Sequence, residues 1–126
     1  MRASKRNRPA RFGVDNTYVL IDRAEIVDGY DGGQLIRVIL QFTNNSEESQ
    51  SFWSVGGIYV YQDGIQLDMG SPATSSETDI AYTEDVAPGE TVSVSMCFAL
   101  RSESIVEVEV ADLWSDMDLG CRFVLE

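Results

Sequence analysis

The chain has 126 residues, of which 44% are hydrophobic, a composition that supports one folded domain with a buried core rather than a disordered chain. It contains no histidine, which excludes Ser–His and Cys–His catalytic pairs and every His-ligated metal site. Its apolar runs are only a few residues long, too short for a transmembrane helix.

The charge is unevenly distributed along the chain. Five of the nine basic residues lie in the first eleven positions, whereas all 21 acidic residues follow from Asp15 onward. The body from Phe12 therefore has four basic residues against 21 acidic ones, a net charge of −17. Such a body repels phosphate backbones, and we expect no nucleic-acid partner.

Residues 1–13 are polar, basic and without periodicity, which predicts a flexible arm in front of a domain at 14–126. Clustered Lys and Arg can also contact acidic lipid headgroups, so contact with an anionic surface is the alternative to a solvated linker. In both cases we expect the folded domain to begin after Gly13.

The segment Thr17–Val27 alternates imperfectly between apolar and polar residues and predicts a first strand. Polar residues interrupt the pattern at Asp22-Arg23, which indicates a β-bulge. The residues of this strand that are predicted to face inward are Tyr18, Leu20, Ala24 and Ile26.

The most regular alternation lies at Leu35–Ser46 and predicts the central strand of the domain. Its β-branched and aromatic side chains suit a half-buried pleated surface. The predicted inward face consists of Ile36, Val38, Leu40 and Phe42. The strand ends at Asn44-Asn45-Ser46, residue types that favour a turn.

An apolar segment over residues 52–61 predicts the next strand, with Trp53 in the core. The pair Gly56-Gly57 indicates a bulge or a close approach of the backbone. Tyr59 and Tyr61 share one face of this strand. If that face meets solvent, they form an aromatic strip typical of protein interfaces or carbohydrate platforms.

A tight hairpin turn is predicted at Asp63-Gly64, followed by a return strand at Ile65–Met69. Gly70–Asp79 has the composition of a loop. The second clear strand is Thr91–Leu100, whose predicted inward residues are Val92, Val94, Met96, Phe98 and Leu100.

The remaining strands are predicted at Ile105–Val110 and Cys121–Leu125, and Trp114 is predicted to close the core. About seven strands separated by frequent turn signals are typical of a two-sheet sandwich. The predicted fold is therefore all-β, an immunoglobulin-like antiparallel β-sandwich of two sheets.

Four fragments, in this order and at these spacings, resemble a domain family of unknown function found in secreted lipoproteins of Gram-positive bacteria. They are Phe42–Glu47, Gln62–Leu67, Val86–Glu90 and Val106–Val110. The fold of that family is similar to that of the mycobacterial secreted immunoprotective antigen, an immunoglobulin-like sandwich. The resemblance implies an extracellular or cell-surface location, with membrane contact only through an anchor that is not in this chain. It brings no catalytic residue and no cofactor.

Cys97 and Cys121 are the first candidate site. In an exported protein they could form a disulfide that closes a loop of about 25 residues and contributes roughly 3 kcal/mol. The alternative is that both are ordinary semi-buried thiols. A catalytic thiol is disfavoured, because the body has no histidine or lysine to lower its pKa.

Acidic loops could offer oxygen ligands to calcium, although none has the spacing of an EF-hand loop. The candidate pairs are Asp28 and Asp31, Asp63 and Asp68, Glu84 and Asp85, and Asp116 and Asp118. Glu107 and Glu109 share one strand face about 7 Å apart and formally resemble the acid–base pair of a glycosidase. A small sandwich lacks the deep cleft that such a reaction needs, so we expect no enzyme.

The sequence thus predicts a non-enzymatic, extracytoplasmic immunoglobulin-like module that is associated with the cell surface and binds an unknown protein partner. The alternative is a small calcium- or carbohydrate-binding β-sandwich domain.

Overall fold

The computed structural model describes the backbone of residues 3–4, 10–12, 17–112 and 118–125, and the side chains of 17–111 and 121–125. This part of the chain contains nine strands and two short helices. The strands are β1 (Ala3–Ser4), β2 (Ala10–Phe12), β3 (Thr17–Asp28), β4 (Gln34–Thr43), β5 (Gly56–Gln62), β6 (Ile65–Gln66), β7 (Thr91–Ala99), β8 (Val106–Asp112) and β9 (Asp118–Leu125). The helices are α1 (Phe52–Val55) and α2 (Glu77–Ala81).

These strands form two antiparallel sheets. The first has the order β1-β9-β8-β5-β6, and the second has the order β2-β3-β4-β7. Since β1 and β6 have only two residues each, three longer strands build the first sheet and four build the second. The predicted two-sheet antiparallel β-sandwich of about seven strands is confirmed. Both sheets also include backbone from residues 1–13, because β1 and β2 lie in the segment that we expected to be an arm.

The core lies between the two sheets and is built around β4. Its four predicted inward residues are fully buried, each with no exposed surface: Ile36, Val38, Leu40 and Phe42. The facing strand β8 contributes three buried valines at alternate positions, as predicted: Val106, Val108 and Val110. Trp114, the residue predicted to close the core, lies outside the described residues.

Strand β3 carries the predicted bulge, seen as a register shift between residues 21 and 23 against β4. The prediction that Tyr18 and Leu20 face inward before the bulge is wrong, because Val19 and Ile21 fill the core instead. Beyond the bulge the predicted alternation holds, and Ala24 packs against the core. The side chains of a strand point alternately to the two faces of the sheet, and one extra residue exchanges the two sets of side chains. One alternation pattern therefore cannot describe the whole of β3.

The hairpin between β5 and β6 turns at Asp63-Gly64, as predicted. Both residues have positive φ, 55° and 75°, which matches a type I′ turn whose twist suits the flanking strands. The predicted return strand Ile65–Met69 is too long, because β6 ends at Gln66 and the chain then leaves the first sheet.

Residues 68–70 pair with β7, the edge strand of the second sheet. The Gly70 N–H donates to the carbonyl of Cys97 at 3.0 Å, and the Ala99 N–H donates to the carbonyl of Asp68 at 2.8 Å. Met69 lies opposite Phe98 as an isolated bridge. The chain therefore crosses from one sheet to the other within two residues.

The predicted loop Gly70–Asp79 is corrected at its end, where helix α2 begins and packs on the outward face of β7. A capping box starts this helix: the Ser76 hydroxyl accepts from the Asp79 N–H, and the Asp79 carboxylate accepts from the Ser76 N–H. A five-residue helix is too short to produce a periodic signal in the sequence. Because α2 covers this face, the outward-pointing Arg37 and Cys97 are buried.

Replacing Gly64 by alanine tests the hairpin turn. The left-handed conformation at Gly64 costs an L-residue about 1–2 kcal/mol, so we expect Gly64→Ala to lower the free energy of unfolding by that amount. Gly64→Asn is the matched control, because asparagine tolerates positive φ and should cost less. Urea denaturation of both variants measures the difference. Equal losses for the two would contradict this assignment of the turn.

Candidate functional site

An open groove of about 520 Å³ lies at one side of the sandwich. Helix α1, strand β5 of the first sheet and strand β7 of the second sheet all contribute to it. We call it the aromatic groove. The side chains and backbone that form most of its wall belong to Trp53, Gly57, Tyr59, Met69, Tyr82 and Met96.

Trp53 is 61% exposed at this groove, so the prediction that it belongs to the core is wrong. The reason is helix α1, which turns the chain by about 100° per residue. Phe52 and Val55 consequently face the core while Trp53 faces outward. The Trp53 ring packs edge-on against the Tyr82 ring with centroids 6.2 Å apart, and the backbone N–H of Trp53 donates to the backbone carbonyl of Tyr82 at 3.2 Å.

Tyr82 connects the aromatic groove to the core. Its ring lies 5.3 Å from that of Phe52, which in turn lies 5.7 Å from that of Phe42. Burial, together with a smaller effect of Tyr59, raises the pKa of Tyr82 to about 12. The Tyr82 hydroxyl is therefore neutral at physiological pH, and the inner wall of the groove carries no charge there.

Tyr59 points outward from β5 and is 37% exposed. Its ring lies over Gly57, where an added Cβ would be 3.2 Å from the tyrosine hydroxyl and 3.4 Å from ring atoms. Of the two predictions for the glycine pair, no bulge is found, because both glycines pair in register with β8, and the close approach at Gly57 is made by the Tyr59 side chain. Tyr61 is half-buried and does not line the groove, so only one of the two predicted interface tyrosines lies at this site.

A second polar assembly lies under helix α2, and we call it the Arg37 cluster: Arg37, Glu25, Asp79, Ser95 and Cys97. The guanidinium of Arg37 donates to both carboxylate oxygens of Asp79, at 3.1 and 2.9 Å, and to Glu25 at 3.1 Å. The Ser95 hydroxyl donates to Asp79 in a short hydrogen bond. Arg37 also donates to the carbonyl of Thr74 at 3.1 Å, so one side chain holds both the helix and the segment before it.

The electrostatics of the Arg37 cluster are set by burial and by these hydrogen bonds. Burial by itself would raise the pKa of Asp79, but the hydrogen bonds from Arg37, the Ser76 backbone and Ser95 outweigh it and hold that pKa below its ordinary value. Burial lowers the pKa of Arg37, yet its hydrogen bonds to Asp79 and Glu25 dominate and leave the pKa raised. Both groups are therefore charged at neutral pH.

The Arg37 cluster places a hydroxyl and a thiol beside a carboxylate, with the Cys97 sulfur 3.9 Å from Asp79. Neither is activated as a nucleophile. Burial, with the nearby charge of Asp79, raises the pKa of the Cys97 thiol to about 11, and Ser95 is only 1% exposed beneath α2. The arrangement fixes α2 onto the sheet.

The structure does not bring Cys97 and Cys121 together, and they form no disulfide with each other. Cys121 faces the core between the sheets, whereas Cys97 lies on the outward face of β7 within the Arg37 cluster. The disulfide hypothesis is corrected for this reason: the second sheet lies between the two thiols, with Cys121 of β9 in the core on one side and Cys97 of β7 on the other side. The alternative of two buried thiols is the observed one.

Two of the acidic residues that were considered as calcium ligands stabilise their own loops. Asp31 accepts from the Gly33 N–H at 3.0 Å, and Asp63 accepts from Arg101 at 2.7 Å and Ser102 at 3.0 Å. Within residues 17–111 and 121–125, no three Cys, Asp or Glu side chains are grouped as metal ligands would be. The proposed ligand Asp116 lies outside the described residues. Glu107 and Glu109 are both exposed on β8.

Comparison with known proteins identifies the family. Residues 3–112 match the family model described as "Domain of unknown function (DUF5067)". The chain belongs to this family. No curated protein matches it. The resemblance inferred from the four sequence fragments, to an uncharacterised family linked to Gram-positive lipoproteins, is confirmed.

Two solved structures share the fold of this DUF5067 chain. A "putative lipoprotein" from Staphylococcus aureus is similar with a TM-score of 0.70 and 13% identity, covering 98% of this chain and 94% of the other. A second "putative lipoprotein", from Bacillus subtilis, is similar with a TM-score of 0.64 and 10% identity, covering 94% of this chain. This chain spans 38% of the Bacillus protein.

No helix in the described part of the DUF5067 chain has the length and apolar character needed to cross a membrane.

Several residues of the aromatic groove and of the Arg37 cluster were not predicted from the sequence. Met69 lies beyond the end of β6 and Tyr82 directly follows the five-residue helix α2, so neither residue belongs to a segment long enough to show a periodic pattern. The Arg37 cluster did have a signal: Ile39 is apolar on the face of β4 that was expected to be polar, and it is 1% exposed.

The pH dependence of stability tests the Arg37 cluster. A carboxylate whose pKa is lowered on folding stabilises the fold above its unfolded pKa of about 3.9, and this contribution is lost as the pH falls through the folded value. We expect Asp79→Asn to lose about 1.5–3 kcal/mol at pH 7, as for hydrogen bonds to charged groups. The loss should shrink as the pH falls from about 5 to 2.

The measurement is urea denaturation of Asp79→Asn and the native chain across that pH range, with Glu103→Gln as the control because Glu103 is exposed and outside the cluster. A constant difference between Asp79→Asn and the native chain at all pH values would contradict the ionic role of Asp79.

The reactivity of Cys97 tests its burial. With a pKa of about 11, the thiol is ionised at only about one part in a thousand at pH 8, and α2 covers it. We expect iodoacetamide to label Cys97 slowly in the native protein and quickly in denaturant, measured by peptide mass spectrometry. Fast labelling of native Cys97 would show that α2 does not cover this face. If neither cysteine is labelled in denaturant until a reductant is added, the two are joined by a disulfide instead.

Proposed function

We propose that this chain is a non-enzymatic, extracytoplasmic immunoglobulin-like module, associated with the cell surface, that binds a protein partner through the aromatic groove. The observation that carries the proposal is the exposure of large apolar side chains at one concave place. Trp53 is 61% exposed and Met69 is 68% exposed, and both line the groove beside Tyr59.

The composition of the aromatic groove favours a protein partner. Tyr, Trp and Met are enriched at protein interfaces, and a few Trp or Tyr anchors usually supply most of the binding free energy. The groove has such anchors on a fixed support, because Tyr82 packs on both Trp53 and Phe52. A preformed apolar surface loses little conformational entropy when a partner binds.

The extracytoplasmic part of the proposal is supported by the two structural neighbours, both of which carry the name lipoprotein. A net charge of −12 is also compatible with a soluble domain at a cell surface. The non-enzymatic part is supported by the missing histidine and by the closure of the Arg37 cluster beneath α2.

Site-specific photocrosslinking tests the proposal. A photoreactive residue replaces Trp53 in the full-length protein, which is expressed in its own host cells. In a matched control the same photoreactive residue replaces Ile105. Ile105 is 45% exposed and does not line the groove. We expect a discrete protein adduct from position 53 only, and its loss when Tyr59 is replaced by alanine. External protease added to intact cells should degrade the protein.

Other outcomes would contradict specific parts of the proposal. The same adducts from both positions would show that the groove is not the binding surface. Adducts that collapse on treatment with glycosidases would identify a carbohydrate ligand instead. Complete protection from external protease in intact cells would overturn the extracytoplasmic location.

A further inference from the structure

The surroundings of the aromatic groove are acidic. Glu109 is exposed and is the cross-strand partner of Tyr59, so the two side chains start about 5 Å apart on the same face. Asp68 directly precedes Met69 and is exposed. Glu84 and Asp85 follow Tyr82 within three residues and are also exposed. All lie close enough to groove residues for their fields to act within a Debye length of about 10 Å.

The four exposed acidic residues Asp68, Glu84, Asp85 and Glu109 form what we call the acidic rim of the groove. Cations do not neutralise this acidic rim in the part of the chain whose side chains are described. The four arginines there each contact a carboxylate that is not part of this rim: Arg23 with Asp22, Arg37 with Asp79, Arg101 with Asp63 and Arg122 with Glu107. Arg122 is a diagonal neighbour of Glu109 on the same sheet face, but its charge is paired with that of Glu107 at 3.8 Å. None of these arginines lines the groove. Strands β1 and β2, which belong to the basic first twelve residues, lie at the sheet edges farthest from β6 and β7.

We propose that the aromatic groove recognises a cationic segment of a protein partner, with one apolar side chain of that segment seated between Trp53, Tyr59 and Met69. This inference rests on the proposed function and names the chemistry of its partner. The apolar side chain is covered by the aromatic and thioether surfaces, and Lys or Arg residues on either side meet Asp68, Glu84, Asp85 and Glu109.

The acidic rim attracts a cationic segment. It also repels ligands that carry negative charge. Like charges brought together at an interface oppose binding, and they do so more strongly at low salt. Nucleic acids, anionic lipid surfaces and acidic peptides are all disfavoured at this groove. A cationic segment gains in association rate from the same field, while the apolar anchor controls how slowly it leaves.

Matched synthetic peptides test the inference. The first carries a central Leu flanked by Lys residues, the second replaces Lys by Glu, the third replaces Lys by Gln, and the fourth keeps Lys but replaces Leu by Ser. Binding of fluorescently labelled peptides to the whole chain is measured by anisotropy at low and at physiological salt. We expect the first peptide alone to bind, and more weakly at the higher salt.

Substitutions in the protein separate the two components of recognition. Trp53→Ala removes an aromatic anchor and should weaken binding of the first peptide at least ~25-fold. Glu109→Gln and Asp68→Asn should each weaken it by about 1.5- to 5-fold and reduce its salt dependence. Glu103→Gln is the matched control and should change nothing, because Glu103 is exposed and does not line the groove. Thermal unfolding of each variant verifies that it is folded.

Each remaining outcome decides between the two proposals. If the Gln or Glu peptide binds as well as the Lys peptide, and binding depends on Trp53, the groove is a protein-binding site but the cationic preference is wrong. If the Ser peptide binds as well as the Leu peptide, the interaction is charge alone and the apolar anchor is wrong. Binding to anionic vesicles that Trp53→Ala abolishes would overturn a protein partner. If no peptide binds while photocrosslinking at Trp53 succeeds, this inference fails and the proposed function stands.

Discussion

The ion pair between Arg37 and Asp79 is the interaction on which the outer surface of the second sheet depends. Arg37 sits within the continuous buried run of β4 at residues 35–40, and a charge there needs a partner if it is to be buried. Asp79 supplies that partner and at the same time caps its own helix through the Ser76 N–H. One carboxylate therefore both starts α2 and fixes it to the sheet.

The consequences of this ion pair extend to the aromatic groove. Once α2 is fixed, the next residue is Tyr82, whose position is then set from one side by the helix and from the other by Phe52. Trp53 packs on Tyr82, so the exposed anchor of the groove is held by a series of contacts that begins in the Arg37 cluster. A buried ion pair is often no better for stability than an apolar pair of the same shape. Here its two charges specify where a short helix lies.

The sequence predicted the fold well wherever local pattern and burial agree. β4 and β8 have strict alternation and face one common core, and their inward residues are those expected. The Asp63-Gly64 turn was also predictable, because positive φ at two consecutive positions restricts the residue types.

Prediction failed where one residue or one short element changes the geometry. The bulge in β3 reversed the faces of Tyr18 and Val19, and a single turn of helix at α1 moved Trp53 out of the core. The aromatic groove combines Tyr59 and Met96 of two different strands with Trp53, Met69 and Tyr82 of short or irregular segments, so no local pattern could reveal it. Only the acidic character of its surroundings was visible in the composition.

The crossing of residues 68–70 onto β7 also affects how copies of this molecule can meet. An uncovered edge strand is a template on which another chain can extend the sheet, and repeated extension leads to fibres. At residues 97–99 of β7 the outward hydrogen-bonding groups already have partners in the same chain. The Cys97 carbonyl accepts from the Gly70 N–H, and the Ala99 N–H donates to the Asp68 carbonyl. A neighbouring molecule would have to displace this segment before it could pair there. The chain thus fills part of its own edge with backbone, which discourages open-ended sheet growth from the side that carries the groove.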